Sequence, residues 1–231
     1  LGKFRANTLL ERAVTTSMEH VEADARLPNA PLPDLNFEDP PAGTEEVWLS
    51  LTSPLKHQLS AAAVRCIDNA MQIRSVNTLR WDGRSWWAAS TDGPGMILVA
   101  EAFGHSSTGV LGVTGGGGTA RSVASAWCDK GGRIKQLGGK RLLEEDGPWI
   151  LCDDKPDIVI NFDEGDGDII VTYDSMVGDF DSRIEELAST ADGRWLLCAQ
   201  HLFSWASLWA PSLAKNLPSL SLLMTRLVAV E

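Results

Sequence analysis

The chain has 231 residues, 44% of them hydrophobic, which is enough for one large domain or two small ones with cores of their own. Acidic residues outnumber basic ones by 31 to 20, and the formal charge of −11 opposes nucleic acid and anionic lipid as partners. No apolar run approaches the ~18 residues of a membrane helix, and the N-terminus lacks the basic-then-apolar plan of a signal peptide. We therefore expect a soluble, cytoplasmic protein with neither membrane nor nucleic acid as a partner.

Cys66, Cys128, Cys152 and Cys198 form no C-x-x-C pair, and His20, His57, His105 and His201 are equally scattered. Reduced thiols are expected, and no metal. The chain starts at Leu1 without an initiator methionine and runs almost at once into a helix-like segment, Asn7 to His20, so we expect further residues upstream. The proline- and acid-rich stretch from Leu27 to Gly43 reads as loop, and Val47 to Leu51 as a buried strand that stops at Pro54. A helix is expected from Gln58 to Met71 and a strand from Ser75 to Arg80. An Asp82-Gly83 turn follows, with a return strand from Ser85 to Ala89. Another helix is expected from about Pro94.

The most informative segment is Gly109 to Ala124. An apolar strand breaks into Gly115-Gly116-Gly117-Gly118 and resumes as a helix carrying Arg121. Glycines at that point permit a tight turn and close backbone approach to a pyrophosphate, which the free N–H groups of the following helix would hold. A dinucleotide is the natural occupant. Beyond the helix from Ala120 to Lys130, strands are expected at Arg133–Leu137, Pro156–Asn161 and Asp168–Thr172. Apolar helices over Trp195–Trp209 and Leu217–Val228 should pack back on the first domain. The alternation predicts an α/β protein with a discontinuous substrate domain, residues 1–105 completed by about 195–231. A Rossmann-type dinucleotide domain is expected over 106–194.

Polar groups collect at the strand ends before the glycine-rich turn, at Thr52, Lys56, Asn77 and Asp92. A lysine with a carboxylate is a plausible acid/base pair for moving a hydroxyl proton while a hydride leaves carbon. The acidic run from Asp163 to Asp168 lacks the ligand spacing of a calcium loop and reads as a solvated loop. The nine tryptophans read as packing residues, with Trp86, Trp87 and Trp195 candidates for bordering a cleft.

Five motifs in order resemble those of the shikimate dehydrogenases. Ser50-Leu51-Thr52-Ser53-Pro54-Leu55-Lys56 is similar to N-V-T-x-P-x-K, Ser75-Val76-Asn77-Thr78 to A-V-N-T, and Ser90-Thr91-Asp92-Gly93 to N-T-D-G. The glycine turn with Arg121 resembles G-A-G-G-x-x-R, and Asp192-Gly193 through Gln200 resembles D-G-x-G-M-L-x-x-Q. The resemblance implies reduction of 3-dehydroshikimate with NADPH. Lys56 would be the acid/base group and Asp92 its partner, with Thr52, Asn77 and Gln200 on the substrate's ring hydroxyls. Gly115, Gly117, Gly118, Arg121 and Gly193 would lie at the cofactor. The basic Lys135, Lys140 and Arg141 stand where an NAD enzyme places an acid, which favours NADP and puts Lys140 and Arg141 at its 2′-phosphate.

Several positions depart from the family pattern. Leu1-Gly2 and Asn7 are the only remnants of the motif that binds the substrate carboxylate. Asn161-Phe162-Asp163-Glu164-Gly165 replaces N-A-T-x-x-G, Val177 stands for an expected tyrosine, and Trp195 for a glycine. A non-catalytic relative, or part of a multifunctional polypeptide, and a dehydrogenase acting on quinate or another hydroxy acid are the alternatives. The expected partner is a small hydroxy acid, and the assembly a monomer or homodimer.

Overall fold

A computed structural model of the chain describes residues 47–51, 56, 64–163, 165–172 and 176–229. Leu1, Gly2, the expected helix over 7–20, the loop over 27–43, Thr52 and Glu164 lie outside the described residues. The described elements are arranged around two four-stranded sheets. The first contains β1 (Val47–Ser50), β2 (Val64–Cys66), β3 (Thr78–Trp81) and β4 (Trp86–Ala89), in the order β1-β3-β4-β2. β3 is antiparallel to both β1 and β4, and β2 is parallel to β4. The expected hairpin is present. Asp82 holds the Arg84 and Ser85 N–H groups at 2.9 and 2.8 Å, and Gly83 adopts φ +88°.

The second sheet consists of β5 (Val110–Thr114), β6 (Arg133–Gly138), β7 (Ile158–Asn161) and β8 (Ile169–Ile170). It runs in the order β6-β5-β7-β8, with every pair parallel. This is the Rossmann-type half of the α/β fold expected from the sequence. β5 reads as a continuous apolar run because neighbours flank it on both sides, and Leu111 and Val113 within it and Ile134, Ile158 and Ile160 beside it are fully buried. Helix α2 (Gly118–Asp129) returns over this sheet, and its Trp127 indole N–H donates to the Gly109 carbonyl at 2.9 Å.

Two expectations need correction. The helix expected over 58–71 is not present at Val64–Cys66, which forms a strand on the edge of β4. There Val64 is buried, Arg65 is exposed over the Trp87 ring at 5.5 Å, and Cys66 turns partly inward, an alternation of period two. Trp86 does not border a cleft. Trp86 is core against Trp81, and the Trp87 indole donates to Asp82 at 2.7 Å. Helix α3 (Phe180–Ser189) was not anticipated, although Asp179 marks its start by accepting the Ser182 N–H at 2.9 Å.

The link between the two sheets is helix α1 (Asp92–Ala102), which packs against α2 on one side and α4 (Gly193–Ser204) on the other. Two glycines permit this approach. A Cβ at Gly93 would collide with the Ser122 carbonyl of α2, and one at Gly95 would come 2.8 Å from the Gln200 nitrogen of α4. α4 continues as a π-helical turn, Trp205–Trp209, then as a 3₁₀ segment, Pro211–Asn216, and finally as α5 (Leu220–Val228). Whereas α5 packs on α3 and α4, the π turn docks on the first sheet. Its Trp209 indole donates to the Leu79 carbonyl at 2.9 Å and stacks on Trp48 at 6.3 Å.

Candidate functional site

Between α1, α2 and α4 lies a buried polar cluster whose residues come from helices and from segments that flank the strands. Asp92 occupies the first turn of α1, where the helix dipole favours a carboxylate, and it is 1% exposed. The Lys56 ammonium, 8% exposed, donates to its Oδ2 in a buried ion pair. The Asn77 amide nitrogen donates to Asp92 Oδ1 at 3.0 Å and to Gln200 Oε1 at 2.6 Å. Asn77 Oδ1 in turn accepts the Thr91 backbone N–H at 2.7 Å. Four residues separated widely in sequence therefore share one hydrogen-bonded unit, in which the burial of two charges is offset by pairing and by bonds to the remaining carboxylate oxygen.

Thr119 is a member of this unit that sequence reasoning missed. It stands on the first turn of α2, accepts from Lys56 Nζ at 2.9 Å and donates to Asp92 Oδ2 at 3.0 Å. No local pattern marks it, because the contact crosses from one sheet to the other. Thr52, expected on the substrate, lies outside the described residues.

His201, next to Gln200 on α4, is also buried. Its Nδ1–H donates to the Leu197 carbonyl at 2.6 Å, while Nε2 has no partner among the described residues. Burial pushes its pKa down to about 4. The Leu197 carbonyl and Asp92 oppose that shift and Lys56 adds to it. The imidazole is therefore neutral at physiological pH and leaves the charge balance to Lys56 and Asp92.

The glycine-rich turn lies at the carboxyl end of β5. Gly115 has φ +102° and donates its N–H to the Gly138 carbonyl at 2.8 Å, which turns the chain back toward the sheet. Gly117 precedes α2 in an extended conformation, no side chain caps the helix, and nothing lies within 4 Å of where a Cβ at Gly117 would stand. The N–H groups of Gly118, Thr119 and Ala120 thus have no intrahelical acceptor and face an open approach, the arrangement that suits a phosphate. The opposite face is closed, because a Cβ at Gly116 would clash with the backbone at Leu142–Leu143.

Of the other expected cofactor residues, Lys140 and Arg141 lie just beyond β6, beside the turn, and are exposed. The Lys140 N–H donates to Asp163 at 2.7 Å, and Asp163 also packs against Gly115. Arg121 is buried on α2, 4.0 Å from Glu144, and Arg74 approaches the same carboxylate at 3.3 Å. Burial lowers the Arg121 pKa, Glu144 opposes that, and Arg74 and Arg141 add to it, so Arg121 and Arg74 share one carboxylate with a third guanidinium nearby. Gly193 stands apart from this group. It opens α4 after Asp192, which bridges to Ile170 on β8, two strands from β5.

The departures from the family pattern occupy defined places. The Trp195 indole donates to the Leu187 carbonyl at 3.1 Å, and its ring meets Phe103 edge-on at 5.1 Å, so it serves packing between α1, α3 and α4. Val177 is 84% exposed. Arg194 is buried between Asp192 and Glu186. Burial pulls its pKa down, but bonds to those two carboxylates outweigh burial and hold it up. Among the described residues there is no group of His, Cys, Asp and Glu that could hold a metal, and no helix long and apolar enough to cross a membrane. Asp163 and Asp168 instead accept backbone N–H groups, from Lys140 and from Val159 at 2.7 Å.

No family model matches the chain. Over 98 residues it is 33% identical to a shikimate dehydrogenase (NADP(+)) of Methylibium petroleiphilum, a match spanning 41% of this chain and 30% of that protein. Among solved structures, the shikimate 5-dehydrogenase of Thermus thermophilus, determined with NADP(H) and shikimate, superposes with a TM-score of 0.55. The identity is 21%, over 79% of this chain and 78% of that one. The shikimate dehydrogenase of Aquifex aeolicus gives a TM-score of 0.54 at 16% identity, over 78% and 76% of the two chains. An Ael1 enzyme from Pseudomonas putida gives 0.53 at 19%, over 78% of each. In fold, and in sequence over that stretch of 98 residues, the chain is similar to the shikimate dehydrogenases.

Proposed function

We propose that the chain is an NADP-dependent oxidoreductase that interconverts 3-dehydroshikimate and shikimate. The observation that carries this reading is the buried Lys56–Asp92 pair, held within hydrogen-bond reach of the first turn of the helix that follows the glycine-rich turn. The cofactor would lie with its pyrophosphate on the open N–H groups at Gly117–Ala120 and its extra phosphate toward Lys140 and Arg141. The open approach at Gly117 and the uncapped helix support that placement. When bound, such a cofactor supplies the hydride.

The chain's own residues then handle the proton. In the reducing direction the Lys56 ammonium gives a proton to the carbonyl oxygen as it becomes a hydroxyl. Asp92 fixes the Nζ position and balances its charge throughout. Two of the three ammonium hydrogens are bonded to Asp92 and Thr119, and the third has no partner among the described residues. Gln200 accepts from Asn77 through Oε1, which leaves its amide nitrogen to meet a substrate hydroxyl. Asn77 is already committed to Asp92, Gln200 and Thr91, so it would orient Asp92 and Gln200 more than it grips the ring. We further propose that the division of labour follows the two sheets. Residues 1–105 with 195–231 would hold the hydroxy acid, and 106–194 the dinucleotide.

The test is NADPH formation, followed by absorbance, from NADP and shikimate at mildly alkaline pH. A rate that requires Lys56 is expected. A folded protein that turns over quinate or another hydroxy acid but not shikimate would replace the substrate, and one that binds without turnover would replace the enzyme with a binding protein.

A further inference from the structure

The hydroxyl of Thr119 closes a triangle with the acid/base pair, accepting from Lys56 Nζ at 2.9 Å and donating to Asp92 Oδ2 at 3.0 Å. The contacts join positions 63 and 27 residues apart in sequence, and they reach from the parallel sheet's first helix to residues that follow β1 and β4. Thr119 is also the second residue of α2, so its backbone N–H belongs to the uncapped set at the glycine-rich turn. One residue thus presents its main chain to the phosphate site and its side chain to the proton donor. The β-branch restricts χ1, and two fixed partners leave the hydroxyl one orientation.

We propose that Thr119 is a positioning residue that couples occupancy of the glycine-rich turn to the geometry of Lys56. This rests on the reading of Lys56 as the acid/base group. Without the hydroxyl, Lys56 Nζ keeps one anchor instead of two and rotates about its bond to Asp92. Its transferable hydrogen then loses a fixed direction, while the α2 N–H groups stay in place. Phosphate binding at the turn fixes the first turn of α2 and, through Thr119, the ammonium. A rate effect through orientation, with little effect on cofactor affinity, is the signature of such a group.

The experiment compares Thr119→Val, Thr119→Ala and Thr119→Ser with the unmodified chain, measuring kcat, KM for NADP and shikimate, and NADP affinity by calorimetry. The alanine variant covers failure of the bulkier valine to fold. Separately, the Lys56 Nζ signal is recorded by ¹⁵N NMR, which needs no turnover. The expected result is a kcat reduced about tenfold or more in the valine and alanine variants, NADP affinity within about twofold of the parent, and recovery in the serine variant. The Lys56 Nζ signal should shift in valine and alanine but not in serine. An unchanged kcat, or a loss of NADP affinity in proportion to the loss of rate, overturns the proposal. If the parent chain shows no turnover, the dehydrogenase reading fails on its own, and the Nζ signal still decides whether Thr119 holds Lys56.

Discussion

Asn77 donates to Gln200 across 123 positions of sequence at 2.6 Å, and the same amide nitrogen reaches Asp92 at 3.0 Å. The start of β3, the start of α1 and the middle of α4 are thereby tied at one buried nitrogen. Asn77→Ala would leave Asp92 Oδ1, Gln200 Oε1 and the Thr91 N–H without this partner. We expect a loss of about 2–4 kcal/mol of stability in urea unfolding, from several buried polar groups left unsatisfied, together with a fall in kcat. Asn77→Asp would oppose Asp92 with a second carboxylate and should be worse than alanine.

Replacing Lys56 with methionine keeps much of the side-chain volume and removes the charge. Turnover should fall by about 10²–10⁴-fold, the range for loss of a general acid. Stability should fall as well, by about 3 kcal/mol, because Asp92 is left buried with bonds from Thr119 and Asn77 but no counter-charge. Kinetics and denaturant titration on the same samples separate the two effects.

Gly93 is a packing requirement rather than a flexible joint. A side chain there would meet the Ser122 carbonyl, and the Ser122 Oγ accepts the Gly93 N–H at 2.8 Å. Gly93→Ala should push α1 from α2, cost about 1–3 kcal/mol, and carry Asp92 away from Thr119. Thermal unfolding and kcat should both register it. Gly104→Ala, where nothing lies within 4 Å but φ is +83°, should cost only about 1 kcal/mol and leave kcat alone.

His201 makes stability depend on pH in a defined direction. Its native pKa, about 4, lies below the ordinary value of 6.5, so between these limits the unfolded chain binds more protons than the folded one. Its contribution is fully present above pH 6.5 and is lost as pH falls toward 4, by about 3 kcal/mol in all. His201→Gln cannot titrate. Its unfolding free energy should fall less between pH 7 and pH 4.5 than that of the parent, as measured by urea denaturation.

Asp163 places a carboxylate against Gly115, close to where phosphates would approach, while accepting the Lys140 N–H. Asp163→Asn keeps an acceptor for that N–H and removes the charge. NADP should bind several-fold more tightly by calorimetry, a gain of about 0.5–1 kcal/mol that shrinks as salt is raised.

Local chemistry made much of the architecture legible. The run from Val110 to Gly118 reads as strand, turn and helix because apolar residues and glycines make opposite demands on the backbone. The Asp82-Gly83 hairpin is equally local. The strand at Val64–Cys66 was not legible, since its apolar residues suit either period and only the edge of β4 selects the extended form. Helix α3 carries one cap and a mostly polar surface, with Leu187 its single buried residue, so its apolar periodicity is weak.

The sequence by itself singled out the candidate residues: Lys56, Asn77 and Asp92 at strand ends, a glycine-rich turn suited to a phosphate, and, through the family resemblance, Gln200. Apart from Gln200, these follow from side-chain character and from backbone requirements within a few residues. Only the tertiary structure decided that these four meet in one buried unit, that Thr119 completes it, and that Trp195 and Arg194 serve packing. The reason is that α1 is held between α2 and α4 by the absence of side chains at Gly93 and Gly95, and no local pattern encodes what those two empty positions bring together.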